Sequence, residues 1–116
     1  MIPTIQKTLD DIKAIRDELR QKALSGEPAT SKETYSGFVD LLTDLYKVRG
    51  TIEHVDADVV AISNEAVDLA EDSAFAAAGA VCFNLPGRAA DYLKTTALML
   101  DLVNDEMTGK EDNNDA

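Results

Sequence analysis

The chain predicts an all-α protein built by helix–helix packing, and three observations carry that prediction. The first is an apolar stripe with alternating three- and four-residue spacing from Phe38 to Phe83. It runs through Leu41, Leu45, Val48, Ile52, Val55, Val59, Ile62, Ala66, Leu69, Ala76 and Ala80, with Ser73 its one polar member. A 3.5-residue repeat holds one seam of a helix toward a partner. The second is composition: 45% hydrophobic residues with no Trp and few other aromatics, which gives an aliphatic, alanine-rich core suited to close helix packing. The third is punctuation, because Gly26 with Pro28 and Pro86 with Gly87 stand between the periodic segments.

The elements follow in order. Ile5, Leu9, Ile12, Ile15 and Leu19 recur at helical steps and predict a first helix over residues 4–24. Lys7, Asp11, Lys13, Asp17 and Arg20 form its solvated face. Ser25-Gly26-Glu27-Pro28 ends it, since glycine permits the C-terminal turn and proline forbids continuation. Thr30-Ser31-Lys32-Glu33 reads as a capping box that opens the striped helix. Leu85-Pro86-Gly87 closes that helix. A last helix over 88–107 presents Ala89, Leu93, Ala97, Leu100 and Val103, with Leu98 and Leu102 widening the face. One domain therefore spans 1–109, and residues 110–116 form a polar tail expected to fray.

Gly50-Thr51 leaves two architectures open. The stripe crosses Gly50 without losing phase, and one interior glycine costs about 1 kcal/mol, which favours a continuous central helix of roughly 80 Å at ~1.5 Å per residue. Lys47 and Arg49 before it, with Glu53 and Asp56 after it, are instead the charge order of a helix end followed by a helix start. A break there gives a compact four-helix bundle. A second apolar stripe covers both ends of the striped segment: Tyr35, Val39, Leu42 and Tyr46 at one, Val60, Val67, Ala70, Ala74, Ala77 and Val81 at the other. The flanking helices are expected to fold back antiparallel over these ends. That leaves Val48, Ile52, Val55, Val59 and Ile62 as an uncovered central seam, so the expected assembly is a homodimer paired along those five residues.

The net charge of −11 is unevenly placed. Positive and negative side chains balance through residue 50, whereas residues 51–86 carry Glu53, Asp56, Asp58, Glu65, Asp68, Glu71 and Asp72 without one Lys or Arg. Phosphate contacts need a basic surface, so direct nucleic-acid binding is disfavoured. A protein with a basic surface is the expected partner, met by the acidic face Glu53, Asp56, Asp58, Glu65 and Asp68.

Glu53-x-x-Asp56 and Glu65-x-x-Asp68 are carboxylate pairs on single helical turns. Their arrangement is similar to the acidic motif of the all-α MazG-like pyrophosphohydrolases, which implies magnesium-dependent nucleotide hydrolysis. The resemblance is confined to that short segment and lacks the doubled first glutamate. On one continuous helix the pairs lie ~18 Å apart and do not converge on one metal. Asp72-Ser73 resembles the phosphopantetheine site of acyl carrier proteins, but Ser73 lies inside the stripe and precedes Ala74 rather than a large apolar residue. His54 is the sole histidine and has no companion ligand for zinc. Cys82, the sole cysteine, excludes an internal disulfide and reads as a buried packing thiol beside the small-residue ridge Ala74–Ala80. No catalytic, cofactor-binding or metal-binding residue is assigned.

No apolar run reaches the roughly 18 residues of a membrane span, and the first residues lack a signal-peptide core, so a cytoplasmic protein without membrane association is expected. The function expected is non-catalytic: an acidic helical protein that binds or inhibits another macromolecule, of the kind found in phages and mobile elements. The alternatives are a nucleic-acid mimic that blocks a DNA-binding protein and, after it, the MazG-like hydrolase.

Overall fold

A computed structural model of the chain describes residues 1–52 and 56–109. Four helices follow one another: α1 (Pro3–Ser25), α2 (Lys32–Thr51), α3 (Ala57–Cys82) and α4 (Pro86–Asn104). A π-helical turn, Asp105–Gly109, extends α4. Ala29 N donates to Asn84 Oδ1 at 2.9 Å, so the α1–α2 and α3–α4 connections share one end of the bundle. Ile2 N donates to Asn104 Oδ1 at 3.0 Å and ties the chain start to the end of α4 at the other. Helices so arranged run up, down, up, down.

Local chemistry sets the boundaries. Pro3 occupies the first turn of α1, where its missing N–H costs nothing. Gly26 ends that helix with φ +75°, a left-handed conformation that glycine adopts freely, and its N–H donates to Lys22 O at 2.9 Å. The cap of α2 is Ser31 rather than Thr30: Ser31 Oγ accepts from Thr34 N at 3.1 Å, and Thr30 faces solvent. The expected capping box does not form: the cap lies one residue later, and Thr34 rather than a glutamate stands three residues on. Asn84 takes the left-handed conformation at φ +58° between α3 and α4.

The continuous central helix does not form. Thr51 ends α2, with its Oγ1 donating to Val48 O at 2.7 Å, and Ile52 is extended. Asp56 caps α3, its carboxylate accepting from the N–H groups of Asp58 and Val59. The break falls after Thr51, at Ile52, and not at Gly50, which stays helical. An aspartate able to satisfy two orphan amide donors, preceded by β-branched Thr51 and Ile52, offsets the helical bonds lost there. The molecule measures 48 × 25 × 19 Å, far short of an ~80 Å rod.

The break lets one chain close its own core. Ile5, Ile12, Ile15 and Leu19 of α1 join Phe38, Leu41, Leu45 and Val48 of α2 and Leu93, Leu100 and Val103 of α4 in one buried cluster. On α3 the buried face is small-residue and aliphatic: Ala66, Val67, Ala70, Ala74, Ala77, Ala80 and Val81. Among the interfaces between the four α-helices, the most extensive is α3 with α4 and the sparsest is α2 with α3. Small side chains let two helices approach closely, which accounts for the first. Gly79, counted in the ridge, takes no part in it, since a Cβ there would meet nothing within 4 Å.

Val48 and Val59 of the expected dimer seam are buried inside one chain, and Ile52 packs half-buried against the core. The seam therefore does not need a second copy to cover those three. Ile62 remains exposed at 41%, and Val55 lies outside the described residues. The expected cover of Tyr35, Val39 and Tyr46 is also not realised, because α1 packs on the Phe38–Val48 stripe and leaves all three in solvent. Among the described residues, no helix is long and apolar enough to cross a membrane.

Candidate functional site

Two adjoining surfaces on α3 stand apart from the structural core. The first is acidic. Asp58, Glu65 and Asp72 follow at seven-residue intervals and are all exposed, so they line one side of the helix. None of the three makes an ion pair among the described residues. Asp72 belongs to this row and was not among the expected contact residues; its signal was the seven-residue step from Asp58 and Glu65.

Other members of the expected acidic face have different roles. Glu53 lies outside the described residues, as does His54. Asp56 is occupied as the cap of α3. Asp68 meets the Arg49 guanidinium at 2.5 Å, and Glu71 pairs with the same Nη2. These two bonds raise the Arg49 pKa above its ordinary value and tie the end of α2 to the middle of α3. Asp68 is thus partly neutralised, whereas Asp58, Glu65 and Asp72 project an uncompensated field.

The second surface is an apolar groove of about 420 Å³ between α2 and α3, near the end that carries the α1–α2 connection. Tyr35, Phe38, Val39 and Leu42 form one bank, and Phe75, Ala78, Val81 and Cys82 the other. Tyr35 is 73% exposed, Val39 47% and Phe75 60%. The groove lies where α2 and α3 are sparsely packed: Arg49 bridges the two helices at Asp68 and Glu71, and Tyr35 and Phe75 line the open groove with their side chains exposed. Cys82 is exposed in this groove and is not the buried packing thiol expected of it.

The groove floor is fixed by a polar knot. Lys22 is buried, and its Nζ donates to Ser31 Oγ at 2.7 Å, Thr34 Oγ1 at 2.9 Å and Ala29 O at 3.2 Å. Glu18 stands 3.2 Å from the same nitrogen. A lysine with all three protons engaged and a carboxylate beside it is a tolerable buried charge.

A third cluster joins α1 and α2. Asp44 is buried, and Lys7 Nζ donates to its Oδ2 at 2.7 Å. Asp11 Oδ2 is buried without a hydrogen-bond partner and lies 3.6 Å from Lys7 Nζ. Burial, then the neighbouring Asp44 carboxylate, pushes the Asp11 carboxyl up to about 6. The bond from the protonated Asp11, then Lys7, holds Asp44 below the usual range. The cluster joins α1 to α2 through Lys7 and does not face the groove.

Ser73 is buried, hydrogen-bonded to Thr96 Oγ1 at 2.6 Å and donating to Ala70 O at 3.0 Å, which corrects its likeness to an attachment serine. Among the described residues, no three His, Cys, Asp or Glu side chains are placed to hold one metal ion. Compared with protein-family models, curated proteins and solved structures, the chain matches none.

Proposed function

We propose that the protein is a non-catalytic acidic binding protein of the cytoplasm whose α3 face engages a partner protein with a basic surface, as a binder or inhibitor. The observation that carries this is the row Asp58, Glu65 and Asp72, exposed and unpaired among the described residues, on a segment with no Lys or Arg from 51 to 86. Such a field accelerates encounter with a cationic partner and makes the complex salt-sensitive. Mimicry of a nucleic acid finds less support. Carboxylates one heptad apart are ~10 Å apart, against one DNA charge per about 1.7 Å of axis. Hydrolysis of MazG type finds less still, because Asp56 is occupied as a cap and Asp68 by Arg49.

The test is capture on the immobilised chain from the native cell extract, comparing wild type with the triple variant Asp58→Asn, Glu65→Gln, Asp72→Asn. A protein retained by wild type, eluted by salt and lost from the variant supports the proposal. Equal retention by both contradicts it.

Self-association is the second reading. Ile62 and Leu69 on α3 and Phe83 just past its end face solvent at 41%, 48% and 80%, and the first two are separated by one heptad. Light scattering at micromolar concentration decides it: a dimer gives about twice the 12.5 kDa chain mass. Repulsion between two chains of net charge −11 opposes this pairing and makes it stronger in salt, the opposite trend to a basic partner.

A further inference from the structure

The groove between α2 and α3 is an apolar surface whose neighbours say what covers it. We propose that it receives a cationic amphipathic helix, whose large apolar side chains at i, i+3/i+4 and i+7 enter between Tyr35, Val39 and Leu42 on one bank and Phe75 on the other, with its Lys and Arg over the α3 acids. This rests on the reading of α3 as a binding face for a basic partner and adds the partner's secondary structure and seat.

Shape argues for a helix. The α2 bank from Tyr35 to Leu42 is two helical turns, about 10 Å, which matches the reach of i to i+7 anchors. The groove is open along its length, whereas a small ligand is ordinarily enclosed over most of its surface. Two of its hydroxyls, Ser31 and Thr34, are already bound to Lys22 Nζ and are not free to orient a small polar molecule. Charge argues for a cationic one. The α3 bank continues from Phe75 to Asp72, which is exposed, and on to Glu65, with no base on that helix. A second copy would bring a further −11 to the same place. Residues 110–116 of the chain itself, Lys-Glu-Asp-Asn-Asn-Asp-Ala, supply no large apolar side chain to fill it.

The chain provides its own reporters. It has no Trp, so a Trp placed in a synthetic peptide is read without background, and its one cysteine, Cys82, lines the groove and is exposed. The probes are a 14-residue Leu/Lys amphipathic helix with one Trp on its apolar face, the same residues in scrambled order, and the Leu/Glu counterpart. The expected result is that the Leu/Lys helix binds at micromolar concentration with blue-shifted Trp emission and slows disulfide exchange at Cys82 at least fivefold. Phe75→Ala and Val39→Ala, both at exposed positions, each weaken it about tenfold with far-UV circular dichroism of the protein unchanged. Binding of the helix and its scrambled form alike, with Cys82 reacting at its free rate, overturns the groove as the seat while leaving the acidic face as a binding surface. Equal binding of the Leu/Glu helix overturns both. Failure of the Leu/Lys helix to bind, or protection of Cys82 that grows with protein concentration alone, also overturns the proposal.

Discussion

Asp11 is the residue where fold and charge conflict most openly. Its buried Oδ2 has no hydrogen-bond partner while ionised, and the Asp44 carboxylate adjoins it. Its folded pKa of about 6 lies above the ordinary 3.8. Its stabilising contribution is therefore complete below about pH 4 and lost as pH rises through 6. Asp44 is depressed and acts in the opposite sense at lower pH, as it protonates. Denaturant unfolding is expected to show stability rising as pH falls from 7 toward 5. Asp11→Asn flattens that rise and stabilises the fold at pH 7 by about 1 kcal/mol. That is less than the ~1.4 kcal/mol per pKa unit of an isolated shift, because solvent reaches the site. Lys22 predicts the reverse. Lys22→Met strands Ala29 O and removes the ammonium that Ser31, Thr34 and Glu18 share, so it is expected to cost about 2 kcal/mol in the same measurement.

At the scale of elements, the helices were legible because each needs only a local signal. The α1 stripe and the Gly26 and Pro86 punctuation lie in the sequence, and the end of α1 and the start of α4 fall close to them. The break in the central helix was not legible in the same way. Val48 and Val59 show one apolar seam whether they face a second chain or the same chain folded back, so periodicity is indifferent between the two. Two glycines of α2 separate local from tertiary effects. At Gly50 a Cβ meets nothing within 4 Å, so Gly50→Ala is expected to stabilise the fold by several tenths to about 1 kcal/mol and to raise the melting midpoint. At Gly37 a Cβ would lie 2.9 Å from Ile15 Cγ1, inside the α1–α2 interface. There the overpacking of about 1–3 kcal/mol outweighs the gain in helix propensity, and Gly37→Ala is expected to lower the midpoint.

The whole molecule is a closed bundle that turns its charge outward on one helix. Solution scattering is expected to give a radius of gyration near the 15.1 Å of the Cα trace, at the mass of one 12.5 kDa chain in dilute, low-salt buffer. A rod-like profile would restore the continuous helix. Of the site, the acidic half was readable as a run of carboxylates without bases, and Asp58 and Glu65 stand where that run implied. Which acids are free was not readable, because Arg49 belongs to another helix and takes Asp68 and Glu71 only once α2 and α3 are side by side. The groove was hidden for a similar reason. Tyr35 and Val39 look like core residues on a helical wheel, and only the packing of α1 onto the neighbouring stripe leaves them outside.

The most direct measurement is the affinity of the purified partner, obtained by capture on the chain, at 50 and 200 mM salt, for wild type and for the Asp58→Asn, Glu65→Gln, Asp72→Asn variant. The account predicts that wild-type binding falls by at least tenfold between the two salts. It also predicts that the variant starts weaker and depends on salt less, because three of the charges that salt screens are gone. Equal affinity and equal salt dependence for the two proteins would contradict it and leave the carboxylates of α3 as a solvated helix face.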